Sequence, residues 1–158
     1  MTNDTQLETG AAAPGFEMPT NGGETVSLAG LKGRKVVLYF YPRDDTPGCT
    51  TEAIEFTAAA GAFDAAGATV IGVSKDTVAK HDKFAAKHDL GVILASDAET
   101  AVCEDYGVWV EKKNYGKTYM GIERSTFLIG VDGKIARVWR KVRVKGHVDE
   151  VLEATKAL

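Results

Sequence analysis

Residues 36–41, Val36-Val37-Leu38-Tyr39-Phe40-Tyr41, form an unbroken apolar and aromatic run between Gly33-Arg34-Lys35 and Pro42. A strand with one face in water alternates polar and apolar residues, whereas a run with no charged position has to be covered on both sides. The chain must therefore build a sheet sandwiched between other layers. Residues 47–66, rich in Ala and Glu, predict the first covering helix, and residues 68–73 a second buried strand. Residues 77–88 predict a helix and residues 92–94 a short strand. Ser96-Asp97-Ala98-Glu99 has the form of a capping box, with Ser96 as cap and Glu99 reaching back, opening a short helix that holds Cys103 and Tyr106. Residues 111–121 read as a loop. Residues 126–129 and 135–139 predict strands joined at Asp132-Gly133, a strong hairpin signal, and residues 147–158 close the chain as a helix. The alternation is that of an α/β protein. Its early crossovers imply parallel strands and its hairpin an antiparallel edge, so the expected architecture is a central mixed sheet flanked by helices on both faces.

The 158 residues suit a single domain with one continuous core, preceded by a loose leader over residues 1–12. A net charge of -3 provides no basic field for nucleic acid. No apolar stretch is long enough to cross a membrane, and the polar start lacks the basic and apolar regions of a signal peptide. A reducing, cytoplasmic setting is expected. In that setting Cys49 and Cys103 are more often free or catalytic than disulfide-bonded. His81, His88 and His147 have no cysteine at ligand spacing, so no metal is expected and all three read as solvated surface side chains.

The informative stretch is Pro42-Arg43-Asp44-Asp45-Thr46-Pro47-Gly48-Cys49-Thr50-Thr51-Glu52, where the central strand gives way to a helix. Ligand sites of open α/β sheets gather beyond the carboxyl ends of the strands. Thr46 is a good N-cap and Pro47 is favoured at the first helical position. Cys49 then falls at the third helical residue, among free backbone N–H groups and at the positive end of the helix dipole. Both favour a thiolate, which is the nucleophilic form of cysteine. From the N-cap, Thr46 could donate to the sulfur or to an oxygen bound beside it, while Pro42 ends the strand and limits how the loop can shield the site from water. A thiolate attacking a peroxide also needs a fork of donors to hold the charge that develops on oxygen. Arg43, beside two aspartates, reads as solvated. Arg124, judged by composition alone, reads as a charge at a strand end.

The pattern Pro42-x-x-x-Thr46-x-x-Cys49 resembles the active-site signature of the peroxiredoxins. Tyr39-Phe40-Tyr41-Pro42, Thr46-Pro47-Gly48-Cys49-Thr50-Thr51-Glu52-Ala53, Tyr106-Gly107-Val108-Trp109 and the segment from Tyr119 through Arg124 to Ile129 resemble one subgroup, the peroxiredoxin Q or bacterioferritin comigratory protein type. The resemblance runs from about residue 13 to the C-terminus. It implies a thioredoxin-like fold and a thiol-dependent peroxidase that reduces hydrogen peroxide and organic hydroperoxides. Cys49 would be the peroxidatic cysteine, with Pro42, Thr46 and Arg124 completing its site. The sulfenic acid formed on Cys49 would be recycled by thioredoxin, glutaredoxin or a small-molecule thiol, with no cofactor and no metal. A monomer is expected, with a weak dimer as the alternative.

One departure concerns the resolving cysteine. Many members of the subgroup carry it five residues after the peroxidatic one, where this chain has Ile54, and others on the following helix, near Ala85. Five helical residues amount to about 140° of turn and about 7.5 Å of rise, so even the usual pair must unwind the helix to bond. Cys103 is then either a packing residue or, after a rearrangement, a resolver of Cys49. The competing function on the same fold is a thiol-based redox sensor or thiol-exchange protein. That class usually needs a C-x-x-C pair, which Cys49-Thr50-Thr51-Glu52 lacks.

Overall fold

The computed structural model describes residues 7–158. Strands β1 (Glu17–Pro19) and β2 (Thr25–Ser27) form a small hairpin, followed by the buried run as β3 (Lys35–Phe40). Then come α1 (Pro47–Ala58), α2 (Ala60–Ala65), β4 (Ala68–Ser74), α3 (Val78–His88), β5 (Ile93–Ser96) and α4 (Val102–Asp105). The chain finishes with β6 (Trp109–Asn114), β7 (Lys117–Ile122), β8 (Ser125–Ile129), β9 (Ile135–Trp139) and α5 (His147–Ala157). The main sheet has the order β5-β4-β3-β8-β9, parallel from β5 to β3 and antiparallel from β3 to β9. This is the mixed sheet of a thioredoxin-like α/β fold, with helices on both faces.

β3 lies at its centre because its side chains suit burial on either side. Val36, Leu38 and Phe40 point into one core with Ile71, Val73, Phe127, Cys103 and Tyr106. Val37, Tyr39 and Tyr41 point into the other, under α1, α2, α3 and α5, with Cys49, Phe56, Phe63, Phe84 and Val151. Tyr39 stacks on Phe56 with ring centroids 4.5 Å apart. Its phenol lies so close over β4 that a Cβ at Gly72 would stand 2.6 Å from the ring, so only glycine fits there. No helix among the described residues is long and apolar enough to cross a membrane.

Several local expectations change. Residues 47–66 form two helices that break at Ala59, near Gly61, whose backbone entropy weakens a helix. Residues 111–121 are not a loop. They belong to the β6–β7 hairpin, whose turn residues Tyr115 and Gly116 both have positive φ, 51° and 76°. That is the primed turn a hairpin favours, with Tyr115 standing where Asn or Asp usually signals it. Ser96 closes β5 and donates to the Asp76 carbonyl at 2.6 Å, so it does not cap the helix. Asp97 does, one residue later: its carboxylate accepts from the backbone N–H groups of Val102 (3.0 Å) and Cys103 (2.8 Å) and from the Thr100 hydroxyl. Of the expected loose leader, residues 1–6 lie outside the described residues. Beyond them, Gly10 N–H donates to the Ile135 carbonyl at 2.7 Å and Ala13 N–H to that of Gly133 at 3.0 Å, tying this part of the chain to the β8–β9 hairpin.

Asp97 is fully buried and also pairs with Lys75 at 3.1 Å. Asp97→Ala removes the cap and the pair together, and the expected loss is about 2–4 kcal/mol in urea unfolding. A loss no larger than that of an exposed carboxylate would contradict this role.

Candidate active site

Topology brings the site together. β8 runs antiparallel to β3 with Phe40 opposite Ser125, so the residue before β8, Arg124, lies beside the point where β3 ends. On the other side of that point the chain passes through Tyr41 and Pro42 and turns into α1. Thr46 occupies the N-cap position in extended conformation (φ −96°, ψ 156°), Pro47 follows as the first helical residue and Cys49 is the third. The Thr46 side chain does not cap the helix. Its hydroxyl donates to the Arg43 carbonyl at 3.0 Å, so the expected donation to sulfur is replaced by a hydroxyl whose lone pairs remain to accept. Pro42 and Arg43 are exposed at the rim.

The Arg124 guanidinium works as a fork. Nη2 donates to Cys49 Sγ at 3.2 Å, and Nη1 donates to Glu52 Oε1 at 2.7 Å. Cys49 and Glu52 are both buried and lie one helical turn apart on the same face of α1. Gly48 makes room for the fork: a Cβ there would come within 3.2 Å of Nη2. Burial pushes the Glu52 carboxyl up to about 7 although Arg124 pulls the other way. The Lys112 ammonium, on β6, is held below its usual range, first by burial and then by the Arg124 charge, with the Glu123 carboxylate and then the Cys49 sulfur opposing.

Behind the sulfur, the segment at residues 42–46 is fastened to α3. The Tyr41 hydroxyl donates to Asp44 Oδ1 at 2.5 Å, and His81 Nδ1 lies 2.6 Å from Asp44 Oδ2. His81 Nε2 lies 3.0 Å from the Ala95 carbonyl, which only accepts, so that nitrogen carries a proton. Asp44 N–H donates to Asp76 Oδ2 at 2.8 Å. Asp45, at φ 61°, meets Lys87 at 2.7 Å and His88 at 2.9 Å. Asp44, Asp76 and His81 cluster closely enough to suggest a metal site, but hydrogen bonds within the protein already engage their atoms, and the group is a clamp.

The expectation that all three histidines are solvated is therefore wrong. His81 is fully buried in the clamp, and His88 packs edge-on against Phe84. His147 is buried against Thr126 at 2.8 Å, and burial lowers its imidazole to about 4. Glu52 and Gly48 are site residues that residue-by-residue reading passed over. The available signal was a carboxylate one turn from a nucleophile on a core-facing helix surface, which calls for either a buried cation as partner or a raised pKa.

Cys103 stands apart. It lies in the core on the opposite face of the sheet from Cys49, fully buried, and burial and the Asp97 carboxylate push its thiol far up. Ile54 faces outward, 44% exposed, and Ala85 packs among the apolar residues on the Cys49 side.

Residues 9–138 match the model of the AhpC/TSA family. Peroxiredoxin Bcp of Bacillus subtilis is 51% identical over 150 residues, covering 95% of this chain and 96% of its own. The chain belongs to the peroxiredoxin family, in its Bcp or peroxiredoxin Q branch. Solved structures agree. The bacterioferritin comigratory protein of Xanthomonas campestris, described for its alkyl peroxide reduction, superposes with a TM-score of 0.85 at 46% identity over 90% of each chain. A peroxiredoxin Q mutant from Xylella fastidiosa gives 0.91 at 39% identity, over 97% of this chain and 98% of its own. This peroxiredoxin is accordingly a thiol peroxidase that works through a catalytic cysteine.

Two measurements probe the fork. Gly48→Ala should push the guanidinium from the sulfur and slow oxidation by peroxide about tenfold or more in stopped flow, with the fold intact by circular dichroism. Glu52 keeps its proton to about pH 7 in the folded protein but releases it near 4.5 when unfolded. The native state is therefore favoured fully below pH 4.5, and that contribution is lost as pH rises through about 7. Glu52→Gln should flatten this part of the stability–pH curve, a difference of up to about 3 kcal/mol between pH 5 and pH 8 in urea titrations.

Proposed function

We propose that Cys49 is the attacking sulfur, that Arg124, Thr46 and Pro42 form the peroxide site around it, and that an external thiol completes the cycle. The observation that carries the assignment is the 3.2 Å contact from Arg124 Nη2 to Cys49 Sγ at a helix N-terminus. The thiolate attacks the distal oxygen of hydrogen peroxide or an organic hydroperoxide. The S–O bond forms as the O–O bond breaks, and the leaving oxygen takes up a proton to become water or an alcohol. Cys49 is left as a sulfenic acid. The guanidinium, already desolvated and aimed, meets the charge that spreads over the two oxygens. Thr46, whose own proton is committed to Arg43, accepts from the peroxide O–H and orients it. Pro42 closes the rim against water.

Both cysteines are thiols, which suits a reducing, cytoplasmic setting. Thiol exchange between them is disfavoured by the sheet that separates them. The chain is read as a single domain and a monomer with no nucleic-acid partner, reduced by thioredoxin, glutaredoxin or a small-molecule thiol.

With peroxide in stopped flow, Cys49→Ser should abolish the rapid oxidation phase, and Arg124→Ala should slow it about a hundredfold or more. Cys103→Ser should keep the phase. Mass spectrometry of the oxidised protein should find a sulfenic acid or its adduct at Cys49. A Cys49–Cys103 disulfide in appreciable yield would overturn the scheme.

A further inference from the structure

Beside the peroxide site lies a cleft of about 390 Å³ that shares Pro42 with it and runs between α3 and the β6–β7 hairpin. Its lining is strongly cationic. Lys75 is already paired with Asp97 and Glu104, and Asp76, whose Oδ2 accepts from Asp44 N–H and the Ser74 hydroxyl, is the one carboxylate among the described residues of the lining. Arg43, Lys80 and Lys112 also line it, and among the described residues they enter no ion pair. Tyr119 and Met120 add an exposed apolar patch to the same wall. Lys112 is positioned rather than loose. It pairs across the hairpin with Tyr119, and its stem runs over Gly121, where a Cβ would come within 3.2 Å of it. Its ammonium feels the Arg124 charge and, in the opposite sense, the Glu123 carboxylate and the sulfur.

The cycle gives such a cleft a purpose. Cys49 is 1% exposed, and residues 42–46, which lead into its helix, are held on α3 by Asp44, Asp45 and His81. The chain's other thiol is behind the sheet. A reductant must therefore come to a nearly closed site, which suits a small molecule entering a cleft better than the surface of another protein. Resting on the peroxidase reading above, we propose that this cleft binds a small thiol bearing carboxylates. Arg43, Lys80 and Lys112 would hold the carboxylates, and Tyr119 and Met120 the carbon skeleton, so that the thiol replaces the resolving cysteine the chain lacks.

The chemistry balances with two thiols. The bound thiolate attacks Cys49 sulfenic acid, an S–S bond forms, the S–O bond breaks, and the hydroxide takes a proton and leaves as water. A second thiolate attacks the small-molecule sulfur of the mixed disulfide. Cys49 thiolate leaves, and the two small thiols depart as their disulfide, carrying the electron pair's worth of oxidation away.

Double-mixing stopped flow tests the two steps separately. Wild-type protein is first mixed with stoichiometric hydrogen peroxide, and absence of Cys49 oxidation at this stage would sink the peroxidase reading itself. The oxidised protein is then mixed with glutathione, which bears carboxylates, or with uncharged 2-mercaptoethanol, and rates are compared per thiolate. Glutathione should be at least about tenfold faster, and Lys80→Glu or Lys112→Gln should bring the ratio close to one, as should high salt. The rate with 2-mercaptoethanol in the same variants reports that the site is still folded. A ratio near one in the wild type, or a ratio unchanged in both variants, overturns the proposal. So does reduction by a thioredoxin-class protein alone. If Lys80→Glu slows a carboxylate-bearing hydroperoxide but not glutathione, the cleft serves the oxidant and the proposal fails.

Discussion

The guanidinium of Arg124 is the interaction on which the site depends. It is largely buried, where a lone cation would be costly, and it is met by two buried partners, the Cys49 sulfur and the Glu52 carboxyl. The contacts are mutual, so no member can be removed without leaving another unpaired in a poorly hydrated place. The fork shape matters as much as the charge: one planar group reaches two acceptors a helical turn apart, which an ammonium could not do with the same rigidity.

The sheet makes that contact possible. Arg124 and Cys49 are 75 residues apart, and they meet because β8 starts where β3 ends. The central strand carries the other requirements too. Tyr39 forms part of the floor under α1, and Tyr41 anchors Asp44 and, through it, His81. The clamp fastens the approach to the helix to α3, so on the proposed assignment peroxide would meet a site already assembled.

Much of this was legible in the residues. The run at 36–41 predicted a doubly covered strand, and Thr46-Pro47 predicted the helix start with Cys49 at its third position; both are found. Hairpin chemistry at Asp132-Gly133 predicted β8 and β9. What escaped was set by partners distant in sequence. The three histidines carry no local sign that Asp44, Asp45 and Thr126 await two of them in the interior and one at its edge. The β6–β7 hairpin is largely exposed, so its polar residues lack the apolar alternation that marks a strand, and its turn uses Tyr115 in an unusual conformation. Arg124 illustrates the limit best: taken alone it reads as a strand-end charge, and only motif resemblance or three-dimensional pairing assigns it to the sulfur.

The placement of the two thiols has a kinetic meaning. With Cys103 on the far side of five hydrogen-bonded strands, the sheet acts as an insulator between the chain's two thiols. On the proposed assignment, an oxidised Cys49 would have no thiol on its own side of the sheet to take its oxidation, and would wait for a donor from solution. The length of that wait decides whether it returns to thiol or climbs to the irreversible acids. The oxidised fraction at any moment would then follow the ratio of peroxide to available thiol around the protein, and its state would be a running record of that balance.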